Sequence, residues 1–239
     1  MPYFNSLASQ YGSATQYFAN AHPSLPNYFV LTTGLTETSD DNFSGTISDD
    51  NVVRELVKAG KTWKAYAESI PSAGYLGNDS GTYLRHHNPF TYFSDIQTDA
   101  SQAANIVPFT QFATDLAGDS LPQYSFIVPD VTDDAHDGTL AQADVWLQTN
   151  IAPLLSNPAF QSSGLLIITF DEGDQSDISH GGGQVATLII SSQAKAGYQS
   201  QTLYQHQSAL RLSMAALGVT TFPGMGASAP DMTEFFNAN

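Results

Sequence analysis

Asp171 and Glu172 stand directly behind the apolar run Leu165-Leu166-Ile167-Ile168-Thr169-Phe170, and they are the sharpest chemical feature of the sequence. Adjacent carboxylates at a strand end raise each other's pKa unless a cation joins them, and oxygen ligands of this kind suit Mg2+, Ca2+ or Mn2+. A capping Asp followed by a solvated Glu would read the same way. Ser24, between Pro23 and Leu25, falls where a helix should begin. A helix N-terminus offers free amide donors and the positive end of a dipole, so a hydroxyl there suits phosphate chemistry as well as ordinary N-capping. His22 lies two residues before it. His86 and His87 fall in Arg85-His86-His87-Asn88-Pro89-Phe90. Paired imidazoles can donate to phosphate oxygens or protonate a leaving group, and they also serve in packing. Arg85 is one of only seven basic residues, and a phosphate clamp would draw on one of them. His136 is followed by Asp137, a carboxylate that could orient the imidazole or belong to a solvated acidic loop. His180 precedes Gly181-Gly182-Gly183, which suggests close backbone approach or a tight turn. It is not a nucleotide-binding fingerprint, because the spacing is wrong and a strand follows. His206, at the start of the last helix, reads as structural.

Composition narrows what these groups could serve. The 239 residues make a single domain with enough chain for its own core. Seven Lys and Arg face 23 Asp and Glu, a formal net charge of −16. That field repels nucleic-acid phosphates and anionic lipid at long range, so a broad basic binding face is excluded. A small phosphorylated substrate remains compatible only where a cation reverses the field locally. The absence of cysteine removes disulfides, thiolate metal sites and thiol nucleophiles together. No apolar run reaches the ~18 to 20 residues that cross a bilayer as a helix.

The elements that must position these residues alternate between strand and helix, which implies an α/β fold: a three-layer, doubly wound, mostly parallel sheet. Pro2 suits the first turn of a helix reaching about Tyr11, and 15–19 reads as extended. A helix follows the His22–Tyr28 turn and closes at Gly34, and a second, over 51–59, is capped by Ser48, Asp49 and Asp50. Lys61–Ala67 and Tyr124–Val128 read as strands, 71–95 as irregular, and 108–116 and 140–155 as helices. Leu165–Phe170 is the strongest buried strand, Val185–Ile190 the next, and a helix over 204–217 closes the fold. Ligands of such sheets gather at the carboxyl ends of strands, which selects the loops after Val128 and Phe170 and the turn before Tyr28.

Six segments occur in order: His22-Pro23-Ser24-Leu25-Pro26-Asn27-Tyr28, Gly60-Lys61-Thr62-Trp63-Lys64-Ala65-Tyr66, Arg85–Phe90, His136-Asp137-Gly138, Phe170-Asp171-Glu172 and Met232-Thr233-Glu234-Phe235-Phe236. Together they resemble the phosphoesterase family of the alkaline phosphatase-like superfamily, which holds acid phosphatases of the AcpA type and a phospholipase C branch. The resemblance runs from Pro2 to Phe236. It implies Ser24 as nucleophile, Asp171 and Glu172 holding a divalent metal ion that also touches Ser24, and His86, His87 and His136 around the phosphate, with His22, Arg85 and Asp137 in substrate binding. Which of the two adjacent histidines points inward is left open. Serine at 24 fits the phosphatase branch, a phosphomonoesterase acting through phosphoserine; the phospholipase branch carries threonine there. Secretion or a periplasmic site is implied as well. One departure stands out: members begin with a buried strand ending in Glu-Asn, and this sequence starts where the following helix should be. The expected domain therefore lacks its first strand, and a catalytically silent binding module is the alternative reading.

Overall fold

Pro2 occupies the first turn of helix α1 (Pro2–Gln10), where a missing N–H costs nothing. The amides of Tyr3 and Phe4 donate to the Asp144 carboxylate at 2.9 and 2.8 Å, so a distant residue caps this helix. Strands β1 (Gly12–Ala14) and β2 (Tyr17–Phe18) follow, where one extended segment was expected. Helix α2 (Ser24–Thr33) starts at the Pro23-Ser24 step and stops at Gly34, whose φ of +74° is the left-handed conformation glycine adopts freely. Helix α3 (Val52–Lys58) is capped by Asn51, which accepts from the Arg54 amide. The expected caps Ser48, Asp49 and Asp50 accept from none of the helix amides, because the chain enters the helix at Asn51. The remaining elements are β3 (Trp63–Ala67), α4 (Ser94–Gln97), α5 (Ala100–Ala103), β4 (Ile106–Pro108), α6 (Thr110–Ala117), β5 (Tyr124–Val128), α7 (Leu140–Leu155), α8 (Pro158–Ser163), β6 (Leu166–Ile168), β7 (Thr187–Ile190), β8 (Gln199–Ser200), β9 (Tyr204–Gln205) and α9 (His206–Ala216). This is a computed structural model, and it describes residues 1–237.

The strands form a parallel sheet in the order β4-β3-β5, a mixed sheet in the order β6-β7-β1-β8, and the parallel pair β2-β9. Four of the six strand pairings are parallel. Alternate side chains sort onto two faces. Tyr66 of β3 and Leu188 and Ile190 of β7 pack with Phe4 and Leu7 of α1 and Trp146, Leu147 and Ile151 of α7. Trp63 and Ala65 of β3 face Leu25 and Phe29 of α2, Val52 and Leu56 of α3, and Leu210 and Met214 of α9. Ile189 of β7 meets Ala209 and Leu212 of the same α9. Helices α1 and α7 thus back both larger sheets on one side and α9 backs both on the other, which makes three layers.

The run Leu165–Phe170 departs from its expected full burial. Only Leu166–Ile168 form strand, and all six residues are half-buried. Strand β6 pairs with β7 alone and β5 with β3 alone, so each leaves one edge unpaired among the described residues. Phe126 and Ile127 of β5 are half-buried for the same reason. No counterpart of the expected opening strand occurs among the described residues.

Candidate active site

The segment that delivers Ser24 is bound by side chains rather than by a sheet. Asn27, fully buried, accepts from the amides of Asn20 and Ala21 at 2.9 and 3.0 Å, and donates to the carbonyls of Ala21 and Pro23 at 2.7 and 3.2 Å. All its hydrogen-bonding capacity goes to this turn. The glycine run closes against the same stretch. A Cβ on Gly181 would stand 2.0 Å from the Asn20 carbonyl oxygen, and one on Gly182 2.2 Å from that of Ala21. Asp177 shapes the glycine loop by accepting from the amides of Ser179 and Gln184, each at 2.9 Å.

Ser24, 3% exposed, donates from Oγ to Glu172 Oε1 at 2.9 Å. The other Glu172 oxygen accepts from His22 Nδ1 and, at 3.2 Å, from Gln175. His22 Nε2 meets the Asp177 carbonyl at 2.9 Å. Both ring nitrogens face acceptors, an arrangement that favours the imidazolium form. Burial works against that charge, but the Asp177 carbonyl and the Glu172 carboxylate outweigh it and raise its pKa. In the first turn of α2 the Leu25 amide donates to Asp41 Oδ1 at 2.8 Å.

His86, His87 and His136 gather one turn along α2. His87 is buried and stacks on Tyr28, with ring centroids 5.2 Å apart; His86 lies 4.7 Å and His136 5.8 Å from it. His87 is therefore the inward member of the pair. Burial pulls its pKa down, but its hydrogen bond to Asp134 and the charges of Asp171, Asp134 and Asp41 raise it overall. His86 is lowered, by burial first and by neighbouring His87 next. The two adjacent imidazoles thus have opposed protonation tendencies. Nε2 of His87 is buried without a hydrogen-bond partner. His136 is exposed, with Nδ1 2.9 Å from Asp137. The Tyr28 phenol is held well above its ordinary pKa by burial, then by Asp171, Asp134, Glu172 and Asp41. Four carboxylates therefore surround this end of α2.

Arg85 stands apart. Its guanidinium lies 4.1 Å from the centre of the Tyr92 ring and donates to Thr91. The residues that sequence reasoning passed over are Asn27, Asp41, Asp177 and His206. Asn27 sits inside the His22–Tyr28 motif, and that placement was the available signal. His206, taken as structural, is fully buried and donates from Nε2 to the Asp171 carbonyl at 2.6 Å.

A second acidic group lies beside the site. Ligand atoms of Glu68, Asp130 and Asp133 come within 4.8 Å of one another at the ends of β3 and β5. Asp130 already accepts from Ser69, Thr82 and Thr132, and Glu68 from Trp146 and the Asp130 amide, so two of the three carboxylates have protein partners.

A three-layer α/β fold thus sets a serine at a helix start, facing a carboxylate, with imidazoles one turn further along. The chain belongs to the phosphoesterase family, whose match spans residues 1–220. It is similar to the phosphatidylinositol-3-phosphatase of Mycobacterium tuberculosis, 32% identical over 98% of this chain and 75% of that protein. It is also similar to the phosphate-repressible acid phosphatase of Penicillium chrysogenum, 38% identical over 71% of this chain and 43% of that one. Among solved structures, an alkaline phosphatase superfamily protein from Vibrio parahaemolyticus superposes with a TM-score of 0.63 at 12% identity, over 99% of this chain and 66% of that one. The chain spans about half the length of the fungal acid phosphatases it matches. Among the described residues no helix is long and apolar enough to cross a membrane.

A divalent cation, which this fold family implies, fits the residues present. Asp171 Oδ2 is buried with no hydrogen-bond partner. An anionic oxygen in that state calls for a proton or a cation, and Glu172 follows it in sequence with Ser24 Oγ at its other oxygen.

Proposed function

We propose that the chain is a phosphomonoesterase working through a phosphoserine on Ser24. The observation that carries this reading is the buried Ser24 hydroxyl at the start of α2, donating to Glu172 at 2.9 Å while an oxygen of Asp171 and a nitrogen of His87 stay buried without partners. Asp171, Glu172 and Ser24 Oγ would hold the divalent cation, which supplies charge neutralisation and acidifies the hydroxyl.

In the first half-reaction Ser24 Oγ attacks phosphorus, its proton passes to Glu172, and the bond from phosphorus to the alcohol oxygen breaks. His22, charged and bonded to the other Glu172 oxygen, keeps that carboxylate turned toward Ser24. His87 donates from Nε2 to a phosphoryl oxygen, and His136, exposed and oriented by Asp137, protonates the departing alcohol. Water then attacks the phosphoserine, giving a proton to His136 as the bond from phosphorus to Ser24 Oγ breaks, and Glu172 returns its proton to Oγ, so phosphate leaves and the hydroxyl is restored. In this reading the setting is secreted or periplasmic.

Steady-state hydrolysis of an aryl phosphate, with and without a chelator, tests the proposal. Ser24→Ala and Asp171→Asn are each expected to lower kcat by at least ~10^3-fold. Full activity in both variants would overturn it, and faster turnover of a choline phospholipid than of the monoester would move the assignment to a phospholipase C.

A further inference from the structure

His206 opens α9 and has no exposed surface. Its Nε2 meets a carbonyl, that of Asp171, so Nε2 carries the proton and Nδ1 is left to accept from the Tyr17 hydroxyl at 3.3 Å. The backbone amide of His206 donates to Asn20 Oδ1 at 3.3 Å, and Asn20 Nδ2 donates to Gln207 at 2.9 Å. The ring is thereby fixed from β2, from the turn before Ser24 and from α9. Asp171, by contrast, lies three residues beyond the end of β6 and outside the strand ladder. Packing alone would be served by an apolar side chain; a buried imidazole needs partners for both nitrogens, and one of the two it has is this carbonyl.

We infer that His206 is a positioning residue for Asp171: by holding the carbonyl it fixes the backbone from which the unpartnered carboxylate oxygen is presented, and so sets the affinity of the site for a divalent cation. The inference rests on the reading of Asp171 as a cation ligand, and adds a residue that touches neither cation nor phosphate. Groups standing behind a ligand in this way commonly change metal affinity about 10- to 100-fold when removed.

The test compares His206→Gln, whose amide nitrogen reaches as far as Nε2, with His206→Asn, which falls one methylene short. Mn2+ affinity of the full chain is read by calorimetry after chelator treatment. Without cation, amide exchange is followed at Gly173, which donates to the Gly182 carbonyl at 2.8 Å two residues beyond Asp171. H206N is expected to weaken Mn2+ about 10- to 100-fold and to speed Gly173 exchange, and H206Q to restore both. Wild-type Mn2+ affinity and Gly173 exchange in folded H206N would overturn the inference. Should H206N fail to fold, Tyr17→Phe, which removes the hydroxyl behind Nδ1, is expected to shift both readouts in the same direction, and unchanged readouts in Y17F overturn it equally. Absence of Mn2+ binding to the wild type would instead remove Asp171 as a ligand, leaving Gly173 exchange to decide the positioning role.

Discussion

Replacing Asn27 by alanine removes four hydrogen bonds, at 2.7 to 3.2 Å, from the turn that carries His22, Pro23 and Ser24. Each such bond contributes about 0.5–1.5 kcal/mol net. The turn is half-buried, so water reaches some of its freed groups and the sum stays toward the low end, about 3 kcal/mol with the small cavity included. For a domain of this size that corresponds to a Tm lower by roughly 6–12 °C. The catalytic effect should exceed what stability explains, because a nucleophile displaced by about 1 Å loses about 100-fold in rate. Calorimetry gives the first quantity, and aryl phosphate turnover measured well below Tm gives the second. Asn27→Asp keeps the acceptor but sets a second oxygen against the carbonyls of Ala21 and Pro23, and should rescue neither. An N27A variant with lowered Tm and wild-type kcat would show that the turn needs no such tether to aim Ser24; unchanged Tm would refute the hydrogen bonding itself.

Gly182→Ala places a methyl 2.2 Å from the Ala21 carbonyl oxygen and 2.7 Å from the Ala19 Cβ, so the 19–21 stretch must yield. A loss of about 1–3 kcal/mol and at least ~10-fold in kcat is expected, whereas Gly60→Ala, with open space but φ of +68°, should cost about 1 kcal/mol with kcat unchanged. Glu234 accepts from Tyr198, Ser200 and Tyr204; burial raises its pKa, but these hydroxyls outweigh burial and hold it near about 2, against 4.5 when unperturbed. Its contribution is complete above the unfolded value and is lost as pH falls from about 4.5 toward about 2. After discounting for exposure this amounts to about 1–2 kcal/mol, so the stability advantage of wild type over Glu234→Gln should shrink across that window in denaturant titrations.

Elements with local signals were legible in the sequence. Helix α7 matches its expected span because Thr139 and Gln142 form a capping box before the apolar pattern, and β5 matches because four strand-favouring residues, Tyr124, Phe126, Ile127 and Val128, stand between polar turns. The boundary at Tyr204 shifted, since Tyr204–Gln205 pair with β2 before α9 begins. Burial of Leu165–Phe170 was misjudged because composition reports what a segment could bury, whereas exposure depends on which neighbours exist. The same distinction runs through the site. His22, Ser24 and Glu172 meet, and His86, His87 and His136 share one cluster. Arg85 binds Tyr92 and Thr91 instead, and the aim of His206 at Asp171 joins residues 35 positions apart, which spacing cannot encode.

Among the described residues the outer edges of β5 and β6 are unpaired, which bears on how this chain behaves in concentrated solution. Free strand edges flanked by half-buried Phe126, Ile127 and Ile167 are templates for pairing with another copy of the chain. The net charge of −16 then acts as the colloidal barrier between copies, and salt, which shortens its reach to about 8 Å at physiological ionic strength, governs how readily the edges meet.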